Sequence, residues 1–594
     1  MSAQSSIFNP TQTTSAATGE GFSVPRLTTT GRLAIVFGAR DSGMMVYDTT
    51  LNNLFIWNGT AWVSVPDSGD SSNEQVIFND NGVLIGDPGL LFNKTTDKLT
   101  VSGTVEIWDG AGSGADNVGV GRLALALQTT GAGNAAVGFN SGNNLTTGSS
   151  SAFLGQNAGQ GVTTGSGNVS VGVDSLATSG GGVLHTGSNN IAVGKSAMFS
   201  GQSITGNDSV AIGRDTLRNV STGNNNTAIG NSCLNLLTLA SNNVAIGPLA
   251  GSAITIAGSN VAIGINCLNG SQLVTGGANI AIGDSAMYAN GTAALSGTDN
   301  IAIGTAAGRP ITTGNYNIFV GWRSGLSGSD ITGTDNTGMG RSTLVGLSSG
   351  FNNLALGLNA GNGITTGNSN TYVGVNSGVG NLTGITNTGI GFQALNSATV
   401  SDLTAVGANA LVLNTTGLNN TAVGRSALAT VGANSNCTAL GFNAGRNTTA
   451  NDCTAIGAST LGLSTGGDGN VAVGYSAMGG AVTTGGFNTC IGRLAGSALL
   501  GGTDNTFIGN TAGNTTTTGS QNICIGTNSR MSAVGISNEL SIGSASGGQY
   551  VATNGGATTY FPTATAGAVV LGAAQGFIRI NLNGTFVKIP VYGN

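Results

Sequence analysis

Between residues 116 and 543 one short alternation of apolar and polar positions, Asn-x-Ala-Ile/Val-Gly, returns twenty-five times, most often at 17-residue steps. In Asn279-Ile280-Ala281-Ile282-Gly283 the branched residues fall on one face and the alanine on the other, the period-two pattern of a short strand with both faces occupied. The alanine position tolerates little bulk. It holds Ala211, Ala262 and Ala422, with Phe153, Phe319, Tyr372 and Phe507 as exceptions, so something is expected to pack closely against it. A glycine closes every copy, including Gly247, Gly264, Gly283, Gly304, Gly424 and Gly509, and predicts a corner that needs a positive φ or a close backbone approach. Three and four residues later a pair such as Ala286-Met287 or Ala427-Leu428 predicts a second short strand or a turn facing the same interior. Segments such as Thr365-Thr366-Gly367 supply the remaining turn.

A unit this short cannot bury a face alone and must stack on its neighbours. The pattern therefore predicts an all-β chain whose main body, residues 116–543, is a long parallel β-solenoid or β-roll of 25 coils. Asparagine stands four residues before most corner glycines, as at Asn243, Asn260, Asn279, Asn300, Asn420 and Asn505, and predicts a hydrogen-bonded structural ladder. At Asp402, Asn436, Asp452 and Asn538 the polar residue stands one place earlier, which predicts a one-residue adjustment in those coils. With strands about 4.8 Å apart, 24 steps predict a repeat region of about 115 Å. Flanking segments are expected to cap its ends.

Composition fits an ordered rod with a polar, weakly charged surface. Only 7% of residues are charged while 39% are hydrophobic, the reverse of a disordered chain, and 103 glycines mark dense turning. A net charge of −6 with no basic stripe argues against nucleic acid as a partner. Residues 1–20 lack the apolar stretch of a secretory signal, and no run approaches a membrane helix. The expectation is a protein made in a cytoplasm, without membrane insertion, that leaves by another route, such as lysis, if it acts outside a cell.

The six cysteines read as small core fillers. Cys437 and Cys453 occupy matching places in consecutive repeats, at a separation a disulfide permits. His185 is the single histidine and no zinc spacing occurs, so no metal or cofactor is expected. Among 24 acidic residues carboxylate pairs can arise by chance, for example at Asp299 or Asp335 near neighbouring coils, but no cluster breaks the repeat to suggest one, and the chain is not expected to be an enzyme.

The ends are different. Residues 1–66 contain two strand patterns, Gly43–Thr49 and Asn53–Trp62, the second turning at Asn58-Gly59 between Trp57 and Trp62. Residues 67–115, with Val76-Ile77-Phe78-Asn79 and Lys98-Leu99-Thr100-Val101, read as a segment leading into the shaft. Residues 544–594 read as a loose Gly/Ala/Thr connector over 547–574 and a hairpin, Phe577–Leu582 and Thr585–Ile589, around Asn583-Gly584.

The wording of both ends resembles the terminal segments of tailed-phage fibre and appendage proteins. The repeat, Asn-x-Ala-Ile/Val-Gly-x-x-Ala-Leu, resembles the head repeats of trimeric autotransporter adhesins. That resemblance implies a left-handed parallel β-roll and a homotrimer; its departure is a longer period. Together these imply a structural virion fibre whose N-terminal segment joins other virion proteins and whose repetitive surface meets a host-cell glycan or protein. Alternatives are a capsid or neck decoration fibre, a bacterial surface adhesin, which calls for an export signal and a membrane barrel, and a polysaccharide-degrading tailspike.

Overall fold

The computed structural model describes residues 24–35, 43–65, 116–178, 184–289 and 293–544, and the strands alone within 74–108 and 548–591. The chain divides into two compact units, Met1–Phe351 and Asn352–Asn594.

The first unit opens with a four-stranded sheet. Strand β1 (Arg26–Leu27) runs parallel to β2 (Met45–Asp48), which pairs antiparallel with β3 (Asn53–Trp57), and β3 with β4 (Trp62–Ser64). Trp57 faces Trp62 across the last turn, rings edge to face at 5.7 Å. Between β1 and β2 lies a helix absent from the sequence reading, Thr29–Leu33, capped by the Thr28 side chain. Antiparallel strands Glu74–Asp80, Val83–Asn93, Lys98–Val101 and Val105–Trp108 follow, the last pairing with the first coil strand, Val118–Val120. The exposed edge of that coil is thereby covered.

From Val118–Val120 to Thr337–Met339 every coil contributes one three-residue strand, parallel to the next and in register, so that Ala211 faces Ala228 and Ile280 faces Ile301. The second unit repeats this from Leu354–Leu356 to Ile523–Ile525. Both units are parallel β-solenoids, as the repeat predicts. The second unit closes differently from expectation. Residues 548–553 and 559–561, read as connector, are strands: the first pairs antiparallel onto Glu539–Ser544 and the second antiparallel onto the first. Strands Gly576–Leu582 and Thr585–Val591 form an antiparallel pair; the turn residues between them, like residues 1–20, lie outside the described residues.

The alanine face is the interior. Ala281 and Ala422 are fully buried, as are Ala286, Met287, Ala427 and Leu428 in the turn three and four residues past the corner, and a Cβ on Gly308 in that turn would stand 3.1 Å from the Ala302 Cβ. That segment is a turn and not a second strand: Met287 and Leu428 bury their side chains completely with φ of 51° and 46°. A left-handed leucine or methionine costs about 1–2 kcal/mol, which burial of the side chain, about 1.5–3 kcal/mol, offsets.

No coil shows the one-residue adjustment expected at Asp402, Asn436, Asp452 and Asn538. Thr388 still faces Thr404, Thr421 faces Thr438, and Ile523 faces Leu540. Those four residues occupy a separate left-handed position, φ 62°, 61°, 56° and 59°, filled elsewhere by Asn242, Ser259 or Asp299. The place four before the glycine is filled by Leu403, Cys437, Cys453 and Glu539. The 16-residue steps ending at Gly407 and Gly457 shorten the Thr-Thr-Gly loop instead.

Candidate interaction surfaces

The corner geometry sets which residues face outward. Gly247, Gly264, Gly283, Gly304, Gly424 and Gly509 have φ between 128° and 134°. A Cβ on Gly424 would stand 2.4 Å from the carbonyl oxygen of Gly441, so conformation and stacking both demand glycine there. With alanine turned inward, the branched strand residues turn out. Ile246, Ile303, Ile390 and Leu440, each just before a corner glycine, are 37%, 37%, 39% and 49% exposed. The residue two places earlier is half-buried on the same face, valine or isoleucine in much of the first unit and threonine at Thr371, Thr388, Thr404 and Thr421 in the second. Within each unit such an exposed aliphatic row is unusual on a monomer surface and is of the kind that marks an interaction face.

This face has two chemically distinct edges. The residue after the corner glycine is exposed and is often basic or aromatic, as at Arg341, Arg425, Phe442 and Arg493. Neighbouring coils stack these side chains: Arg122 over Phe139 at 4.5 Å, Arg341 over Trp322 at 4.9 Å and Arg425 over Phe442 at 5.7 Å. The opposite edge is the position five before the glycine, left-handed at Asp208, Asp335 and Asp504, which are exposed, as is Asp116. Asp299, considered as half of a carboxylate pair, sits on this edge too, two coils from Asp335.

The asparagine row lies inside the coil at the start of each strand, fully buried. Asn243 Oδ1 accepts the Asn260 N–H at 3.0 Å, Asn260 that of Asn279 at 2.9 Å, and Asn279 that of Asn300 at 3.0 Å. Asn300 Nδ2 donates to Asn279 Oδ1 and to the Gly314 carbonyl. In the second unit Asn420 Oδ1 accepts the Cys437 N–H, and Asn505 bonds the Asn522 N–H and the Gly519 carbonyl. The amides thus tie strand starts to the next coil's backbone and to the glycine loops as well as to each other.

Buried ionisable groups are structural. Sequence reasoning missed the Arg32–Asp48 pair, Nε to Oδ2 2.9 Å, with the guanidinium 3.6 Å over the Phe55 ring. Burial raises the Asp48 carboxyl, but the Leu51 N–H, Arg32, the Thr29 hydroxyl and the Thr50 N–H outweigh it and bring it down to about 2. His185 is buried with Nδ1 accepting the Ile204 N–H at 3.0 Å and Nε2 3.3 Å from the Ala177 carbonyl; burial lowers its pKa to about 4. All six cysteines are buried and free, Cys437 and Cys453 included. Burial pushes Cys233 and Cys267 up to about 12, which leaves them protonated and unreactive. Among the described residues no cluster of three or more metal-ligating side chains occurs, and no helix is long and apolar enough to cross a membrane.

Residues 5–82, which take in the opening four-stranded sheet, match the family model of a phage tail like trimerisation region. No curated protein and no solved structure matches the chain. A phage tail-type N-terminal region followed by β-solenoid coils fits a fibre or appendage of a phage tail. The comparisons support that part of the sequence resemblance and lend none to the adhesin heads.

Proposed function

We propose that the chain is the structural subunit of a homotrimeric virion fibre, joined through its N-terminal segment to other virion proteins and offering its repeated outer loops to host-cell glycans or proteins. The observation that carries this reading is the trimerisation-type region at residues 5–82 set before solenoid coils that leave an aliphatic sheet face uncovered. Three such faces turned toward one axis would remove the exposed row from water and close without a free edge. The outer loops repeat once per coil, so weak contacts to a repetitive glycan would add through effective concentration. Catalysis is no part of this proposal.

Antibodies to residues 43–65 and to the 576–591 hairpin test it on purified virions by electron microscopy, together with competition of adsorption by purified protein. Labels at the virion-proximal and distal ends of a fibre, with competition, are expected. Labelled fibres without competition would reduce the role to decoration, and virions lacking the chain would remove the proposal.

A further inference from the structure

The two edges of the uncovered sheet face are complementary in charge and matched in level. Of the eleven lysines and arginines between residues 116 and 543, six stand directly after a corner glycine: Arg122, Lys195, Arg214, Arg341, Arg425 and Arg493. Of the thirteen acids, seven stand on the opposite edge, five before a glycine. Left-handed backbone alone does not require a carboxylate there, because Asn419, Ser259, Ala278 and Tyr316 adopt the same φ.

Each of the six bases has an acid of the other edge in its own coil or the next. In the first unit Arg122, Arg214 and Arg341 share a coil with Asp116, Asp208 and Asp335, and Lys195 is one coil from Asp208. In the second, Arg425 is one coil from Asp402 and Arg493 one coil from Asp504. One coil is about 4.8 Å, within reach of an arginine side chain. One aromatic pair is placed likewise, Trp322 on one edge sharing its coil with Tyr316 on the other. Within a chain the strand stands between the edges. Arg214 pairs with Asp215 beside it, past the corner, and not with Asp208 of the other edge.

We infer that copies of this chain assemble edge to edge around the aliphatic face, the basic and aromatic edge of one solenoid lying against the acidic edge of the next, with all chains parallel. The inference rests on the self-association proposed above and adds which surfaces meet. A closed ring of parallel chains brings unlike edges together at every contact, whereas antiparallel chains would set base against base. Partial desolvation between chains gives these pairs more weight than they carry on an open surface.

The test is made on the full chain carrying both Asp335→Cys and Arg341→Cys, two exposed positions, mildly oxidised and run without reductant. Most of the protein is expected as covalently linked trimer, with the parent and each single variant running as one chain. Trimers by sedimentation with no linkage would overturn the edge pairing while leaving the proposed fibre standing; monomers would overturn both. Linked dimers from Arg341→Cys alone would show like edges meeting and overturn the inference. As a second readout, Arg341→Asp and Asp335→Arg are each expected to lower the trimer's thermal midpoint and the two together to restore it; no restoration would count against the pairing.

Discussion

A methyl group on Gly378 would lie 2.4 Å from the ring of Tyr372. Tyr372 is fully buried at the inward strand position that alanine fills in most coils, and Gly378 takes the turn position that leucine or methionine fills. The same exchange recurs at Phe153 with Gly159, Phe319 with Gly325 and Phe507 with Gly513. In these four coils the large interior side chain comes from the strand and the turn gives way to glycine, whereas Leu428 or Met287 in the turn accompanies alanine in the strand; in other coils, such as that of Ala302 and Gly308, both positions are small.

This exchange predicts strong non-additivity. Gly378→Leu alone should destabilise by about 3 kcal/mol through overpacking, and Tyr372→Ala alone by about 3–5 kcal/mol through a cavity. The double variant restores the arrangement of Ala422 and Leu428 and should unfold closer to the parent than either single variant does. Thermal midpoints, with hydrogen exchange of residues 371–395, measure it.

Corner glycines should tolerate nothing larger. Gly424→Ala places a Cβ 2.4 Å from the Gly441 carbonyl oxygen at a φ of 130°, a conformation that costs about 1–3 kcal/mol before the clash is counted. Limited proteolysis should cut the variant near this coil at protease levels that leave the parent intact.

The ladder predicts a gradient of substitutions at one site. Asn300→Ala leaves the Asn317 N–H, now bonded at 3.0 Å, and the Gly314 carbonyl, now bonded at 2.8 Å, buried without those partners. The expected loss is about 2–4 kcal/mol for the two groups. Amide exchange at Asn317 should accelerate most.

Two buried groups give opposite ends of an acid titration. His185 has its pKa lowered from 6.5 to about 4, so the unfolded chain binds the extra proton in between. Stability should fall by up to about 3 kcal/mol as pH drops from 6.5 to 4 and level off below, and His185→Phe should flatten that slope. Asp48 has its pKa lowered from 3.8 to about 2, so its contribution is complete above 3.8 and lost as pH falls through 2. Denaturant titrations across pH, monitored at Trp57 and Trp62 for the second transition, separate the two.

Strand and corner were legible because a solenoid repeats its local chemistry once per coil, and Ile280-Ala281-Ile282-Gly283 states both. The sense of the alternation was harder. Nothing in one strand says that the smaller residue faces the core, because the buried bulk of the coil, Met287, lies six positions on in the turn. Asp402 and Asn436 were misread since an αL residue and a ladder residue draw on the same amino acids, Asn and Asp, at adjacent positions. The Arg32–Asp48 pair joins residues of a non-repeating segment, where no periodicity announces a contact. The charged edges carried a readable signal, the residue after each corner glycine and the fifth before it, visible once the coils are aligned on those glycines.

Native mass measurement of the purified full chain tests the central claim most directly, that stacked coils leave a sheet face which copies of the chain cover for one another. Three chains of 58.0 kDa in one particle, persisting at low concentration, is the predicted result. A stable single chain that stays soluble with its aliphatic row open to water would contradict it.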